Sequence, residues 1–226
     1  MHRSTIRWPI TTAALATLCI AIAAVAAVPT DRDWVTILDA KSFQDWKVAP
    51  AAASSKVYNG KTIKRIRTEK SGSSGSWTFK DGILHGEGDV SHIFSPRSDY
   101  QNFMFKADIK ISDKGNSGQY VRATFGNGFP NGYEAQINST HADPQRTGSL
   151  YNLSPVTDAL VPPNTWFTQE VMADGNHIVI KVNGTVVVDY TDSKNTYIKG
   201  HFAFQQHNVG SEVWIKNVMV KELPFK

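Results

Sequence analysis

"QNFMFKADIKIS", Gln101 to Ser112, places Phe103, Phe105, Ala107, Ile109 and Ile111 at every second position, with polar or flexible residues mostly between them. A period of two is the pattern of a strand with one face against a core. The same period recurs in "NHIVIKVNGTVVVDYTD" (176–192), where two β-branched runs meet at Asn183-Gly184, a dipeptide that tolerates positive φ in a tight hairpin. "HFAFQQHN" (201–208) and "SEVWIKNVMVKEL" (211–223) carry it toward the C-terminus. No segment keeps a helical period for long, and only Asp39 to Trp46 and Val156 to Leu160 suit short turns. Turn chemistry at Asp81-Gly82, Gly115-Asn116, Gly126 to Gly132, Asp174-Gly175 and Asn183-Gly184 cuts the chain at the short intervals of an all-β fold. The expectation is a two-sheet antiparallel β-sandwich.

The first residues stand apart from this pattern. Arg3 and Arg7 precede an apolar run from about Ala13 to Ala27, and Ala24-Val25-Ala26 is a small-x-small cleavage pattern. The run is shorter than the roughly 20 residues a bilayer core requires, so an export leader over residues 1–26 is expected rather than a spanning helix. The product is then periplasmic or secreted, with no stable membrane insertion. Residues 27–226 are expected to form a single domain, with aromatic and aliphatic residues enough for one core. Loss of the leader removes Cys19, leaving no thiol or disulfide, and takes the formal charge from +4 to +2 by removing Arg3 and Arg7. So nearly neutral a chain gives no reason to expect nucleic acid or an anionic membrane as partner. The basic and Ser/Gly-rich stretch from Ala51 to Ser76 reads as a solvated loop or insertion.

In a sandwich, whichever alternate set is not packed inward is displayed. In "YEAQINSTH" (133–141), Glu134, Gln136 and Asn138 alternate with Tyr133, Ala135 and Ile137. In "SGQYVRAT" (117–124), Tyr120 and Arg122 alternate with Gln119, Val121 and Ala123. Gln205 and His207 alternate with Phe202, Phe204 and Gln206, and Tyr151 sits between Leu150 and Asn152. The displayed set is either solvated surface or one lined face. Amides and a guanidinium suit sugar hydroxyls, tyrosine rings suit a pyranose, and Glu and His carry protons. A two-carboxylate glycosidase strand would repeat acids along such a row, whereas here only Glu134 is one; Asp143 and Glu170 have no spacing that ties them to it. The histidines have no metal-ligand spacing, so the metal is unknown and no cofactor is implied, while a calcium held by loop oxygens stays open. Nucleophile-elbow, phosphate-loop and dinucleotide patterns are absent from the sequence.

Several ordered blocks carry a resemblance: "WVTILDAKSFQDW", "DGILHGEGDVSHIFSPRSDYQNFMFKADIKI", "GNSGQYVRATFG", "NGYEAQINSTHADPQRTGSLY", "VPPNTWFTQEVMADGNHIVIKVNGTVVVDYTD" and "HFAFQQHNVGSEVWIKNVMVKEL". From about Asp33 to Leu223 the chain resembles the 3-keto-disaccharide hydrolase domain family, concanavalin A-like jelly rolls of exported bacterial proteins. The resemblance implies cleavage of 3-keto-glycosides on a concave carbohydrate face, by elimination across C1–C2 and then hydration. A ketone at C3 acidifies the C2–H, so one base and one acid suffice. It implies Glu134 as the base or its acid partner, His207 as the proton carrier to the leaving oxygen, and Arg122 as stabiliser of the enolate. Gln136, Asn138 and Gln205 would bind hydroxyls, Tyr120 and Tyr151 the ring, and His141 would be a second proton carrier or a metal ligand. Asn138 stands where relatives often have Asp, and Gln206, Asn208 and Val209 depart from the family's Gln-Asp-His and His-Asp-Pro-Gly patterns; these changes remove carboxylates that a metal site would use. The alternative is a non-catalytic carbohydrate-binding module or lectin on the same fold, or a structural partner in a cell-surface assembly.

Overall fold

The computed structural model describes residues 34–50, 55–58, 61–64, 75–126 and 128–224; the expected leader and most of the 51–76 stretch lie outside them. The strands are β1 (Val35–Thr36), β2 (Lys47–Pro50), β3 (Ser55–Tyr58), β4 (Lys61–Lys64), β5 (Ser76–Lys80), β6 (Ile83–Glu87), β7 (Ser91–Phe94), β8 (Phe103–Ile111), β9 (Ser117–Ala123), β10 (Tyr133–Ile137), β11 (Phe167–Asp174), β12 (His177–Val182), β13 (Thr185–Thr191), β14 (His201–Gln206) and β15 (Val213–Glu222). Two antiparallel sheets form the sandwich: β13-β12-β11-β8-β15-β6-β5, with β1 also on β15, and β10-β9-β14-β7-β2. Among the described residues, β3 and β4 pair only with each other. One 3-10 turn, Ser42–Asp45, precedes β2, while residues 156–160 are irregular. Among the described residues no helix is long and apolar enough to cross a membrane.

The opening stretch is β8, and its burial alternates along the whole strand. It is central because both faces of its backbone ladder are occupied, by β11 and β15. Its apolar set meets that of the second sheet: Phe105 stacks on Phe202 with centroids 3.9 Å apart, and Val121, Ala135, Ile137 and Phe204 share the same core. Each such side chain stabilises the layered fold by roughly 1.5–3 kcal/mol on leaving water. The β12–β13 hairpin turns at Asn183 (φ 50°) and Gly184 (φ 81°), as the dipeptide requires.

Two buried amides cross the core. Gln169 of β11 donates to Gln119 Oε1 (3.1 Å) and to the Ala135 carbonyl (3.3 Å). Gln119 Nε2 donates back to the Phe105 carbonyl at 3.5 Å.

The alternation of β9 breaks at one residue. Arg122 has φ 51°, and the β9–β14 register shifts between His201 and Ala203. This β-bulge puts one extra residue into β9. Tyr120 and Ala123 therefore share the outer face with Phe94 and Ala203, instead of Tyr120 sharing it with Arg122.

Candidate functional site

The outer face of the five-stranded sheet carries a cleft of about 520 Å³, walled by β9, β10 and β14 and by the loops around 129–132, 151–153 and 196–197. Register decides who meets there. Glu134 pairs with Tyr120, Gln136 pairs with Gly118, and Gln205 pairs with His92 across the β14–β7 ladder. Gly118 leaves the space into which Glu134 bends: a Cβ at 118 would collide with Glu134 Oε1 and lie 2.9 Å from its carboxyl carbon.

Tyr120 donates its hydroxyl proton to the Glu134 carboxylate and accepts from Gln205 Nε2 at 3.1 Å. Burial raises the Glu134 carboxyl to about 8; the Tyr120 hydrogen bond opposes this, and the charge of Asp143 adds to it. Burial first, then the Glu134 charge, holds Tyr120 well above the usual tyrosine range. Tyr151 donates to Asp143 Oδ2 at 2.8 Å, and that bond, followed by burial, lifts it to about 12. Asp143 thus enters the site electrostatically, although nothing in its spacing tied it to Glu134. The chain returns along β10, with Tyr151 N donating to Glu134 O and Gln136 N to Ser149 O, and this return delivers both Tyr151 and Asp143.

His207 donates from Nδ1 to Asn208 Oδ1 (2.8 Å), since an amide oxygen only accepts. Its Nε2 is therefore the position left for proton exchange. His141 lies with its ring centroid 5.7 Å from that of His207, and its Nδ1 accepts from Asp143 N (3.1 Å) and Asn116 Nδ2 (3.3 Å). Burial, then the neighbouring His207 charge, lowers His141. His92, fully buried, accepts at Nε2 from Gln205 (3.2 Å); burial first and His207 second push it down to about 4. Alternation in β7 was the available signal for His92, because that strand lies on the same sheet.

Among the expected site residues, Tyr120, Glu134, Gln136, Tyr151, Gln205 and His207 line the cleft, and His141 touches it through His207. Arg122 does not stand where the enolate role requires it. The bulge turns its guanidinium into the protein at 1% exposure, where it donates to the Gln101 carbonyl from Nε (2.9 Å) and Nη2 (2.6 Å) and to the Tyr197 carbonyl from Nη1 (2.8 Å). It supports the cleft wall through Tyr197 and is not among the side chains that line the cleft. Asn138 is corrected in the same way. Its Nδ2 donates to the Asp143 and Gln145 carbonyls (3.0 and 2.8 Å), and its Oδ1 accepts from His141 N (2.8 Å) and Arg146 (3.1 Å). With every polar position engaged, it holds the 138–147 loop instead of binding a hydroxyl.

Among the described residues, the one set of three ligand atoms close enough to grip a metal is His85, Glu87 and Glu212, on β6 and at the start of β15, outside the cleft. An imidazole with two carboxylates supplies too few oxygens for calcium, which takes 6–8. His85 is also engaged, with Glu212 at 3.1 Å and Trp214 stacked at 5.0 Å. The calcium expectation finds no fitting oxygen cage in this group.

A solved protein from Parabacteroides distasonis ATCC 8503, provisionally called a glycosyl hydrolase, is similar at 23% identity over 87% of this chain and 99% of its own, with a TM-score of 0.65. A carbohydrate-binding module of Bacillus subtilis, CBM66, is 20% identical over 66% of this chain and 92% of its own (TM-score 0.54). A Bacillus subtilis protein with a galectin-like fold is 12% identical over 85% of this chain and 96% of its own (TM-score 0.60). At these identities the likeness shows the jelly-roll fold alone. No curated protein matches the chain. The family model of the 3-keto-alpha-glucoside-1,2-lyase-like domain matches residues 33–221, and by that match over most of its length the chain belongs to this family.

Proposed function

We propose that the protein cleaves 3-keto-glycosides by elimination across C1–C2, followed by hydration. The observation that carries the reading is the pair across the cleft: a partly buried Glu134 raised to about 8 and a His207 with its Nε2 left for proton exchange. Glu134 removes the C2 proton, which the C3 ketone has acidified. The electron pair closes the C1–C2 double bond, the C1–O bond breaks, and a doubly protonated His207 gives its Nε2 proton to the departing oxygen while Nδ1–H stays on Asn208. Water then adds at C1 to give the free 3-keto sugar. A carboxylate of raised pKa is a stronger base and suits abstraction from carbon. With Arg122 turned inward, the enolate oxygen is left to neutral donors of the cleft wall, among which Asn116 and Gln136 line the space. Hydrogen bonds aimed at a developing charge supply part of the rate.

Incubation with 3-keto-glycosides tests the reading. Glu134→Gln and His207→Ala are each expected to reduce kcat about 10²–10⁴-fold. The acid-side limb of the wild-type kcat/KM profile is expected to follow the ionisation of Glu134 at about 8. Turnover unchanged in both variants sinks the assignment. A non-catalytic sugar-binding role draws on the amide-rich face and the likeness to a carbohydrate-binding module; glycan binding with no release from any 3-keto substrate would decide for it.

A further inference from the structure

The loop between β9 and β10 lays two aromatic side chains over the outer face of the sheet. Phe125 packs edge-on to Phe94 at 5.0 Å, and Phe129 packs edge-on to His92 at 5.9 Å. Phe129 also lies 5.9 Å from His207, yet it remains 63% exposed. Only Val209, at 66%, is more exposed among the large apolar side chains described, and it follows His207 by two residues in the turn closed by Ser211 N on the Asn208 carbonyl (3.0 Å). One solvated ring therefore lies against His207, and a second solvated apolar side chain stands two residues on in the same turn. The polar side chain between them is already engaged: Asn208 Oδ1 accepts from His207 and from Ser211 Oγ (3.0 Å), and its Nδ2 donates to Val209 O (2.9 Å).

We infer that the cleft takes 3-keto-glycosides whose leaving group is a planar aromatic alcohol rather than a second sugar, with that ring seated on Phe129 and against Val209. The inference rests on the reading above, in which His207 serves the leaving oxygen, because the group attached to that oxygen must then lie against the surface beside His207. A sugar there can lay its C–H face on the phenyl ring, but the phenyl and isopropyl groups return no hydrogen bond to its hydroxyls, which gain nothing over water. An aromatic ring loses no such bonds and gains an aromatic pair worth roughly 0.5–1.5 kcal/mol beyond its buried area. The amides of Gln136, Gln205 and Asn116 lie along the cleft and serve the 3-keto ring. In the step itself, the C2 proton goes to Glu134, the C1–O pair goes to the phenolic oxygen, and that oxygen takes the His207 proton. No oxidant or co-reactant is required.

The test compares kcat/KM of the full chain, freed of its leader, for three 3-keto-glucosides bearing phenyl, methyl and glucosyl leaving groups, in the wild type, Phe129→Ala and Val209→Ser. Intrinsic leaving-group differences cancel when each variant is compared with the wild type. In Phe129→Ala the phenyl-to-methyl ratio is expected to fall about tenfold, and the phenyl-to-glucosyl ratio to fall with it. Val209→Ser is expected to shift both ratios in the same direction by a smaller factor. Uniform losses on all three substrates, or a larger loss on the glucosyl compound, overturn the inference while leaving the proposed reaction standing. No turnover of any substrate by the wild type overturns the proposed reaction and this inference with it. Melting temperatures of both variants close to wild type, expected for such exposed positions, keep a folding defect from imitating either result.

Discussion

Gly118 has no side chain at the one place on β9 where a side chain would meet the Glu134 carboxyl. Gly118→Ala is therefore expected to displace Glu134 from the Tyr120 hydroxyl and lower kcat by about 10–100-fold, at an overpacking cost of roughly 1–3 kcal/mol. A kcat equal to wild type in a folded variant would show that the carboxyl has room elsewhere. Single residues were also where the sequence was least legible. Arg122 and Asn138 belong to the residue types that bind sugars, but the same donors and acceptors satisfy buried main-chain carbonyls, and residue type cannot tell a ligand from a loop. For Arg122 the alternation itself failed, because one bulged residue at φ 51° reverses the side of everything after it.

The strands were legible wherever one face is dry. The regular burial of β8 and the positive φ values at Asn183-Gly184 follow from spacing and turn chemistry. The return from Asn138 to Tyr151 was not legible, because its shape depends on side-chain bonds to main chain rather than on a period. Asn138 sits at the head of that return with three such partners, the Asp143 carbonyl among them, and the Arg146 side chain as a fourth. Asn138→Ala is expected to loosen residues 141–147 by about 2 kcal/mol, read as roughly 30-fold faster amide exchange there and unchanged exchange in β8 and β11. Faster exchange across the whole sandwich would mean instead that the return holds up the fold.

For the molecule as a whole, the partly buried Glu134 and the buried His92 shape stability against pH in opposite senses. The folded Glu134 carboxyl is raised from 4.5 to about 8, so between these values the native state holds a proton that the unfolded chain has released, and stability falls as pH rises. His92 is lowered from 6.5 to about 4, so its contribution is present above 6.5 and is lost as pH falls toward 4. The two slopes oppose each other between 4.5 and 6.5, where the lowered His141 acts in the same sense as His92, and from 6.5 to 8 Glu134 acts without that opposition. The melting temperature is expected to drop over that upper window by several degrees, and to stay level there in Glu134→Gln, which keeps an acceptor for Tyr120 but no charge. An equal drop in the variant would place the titrating group elsewhere. The amides that cross the core, Gln169 to Gln119 and Ala135 and Gln119 to Phe105, bear on motion at this scale. If one sheet slid over the other by a residue, these hydrogen bonds would break and leave buried amides unpaired, so the layers resist shear. Any adjustment to a substrate is therefore expected in the loops around 129–132 and 151–153, over strands that superimpose with and without ligand.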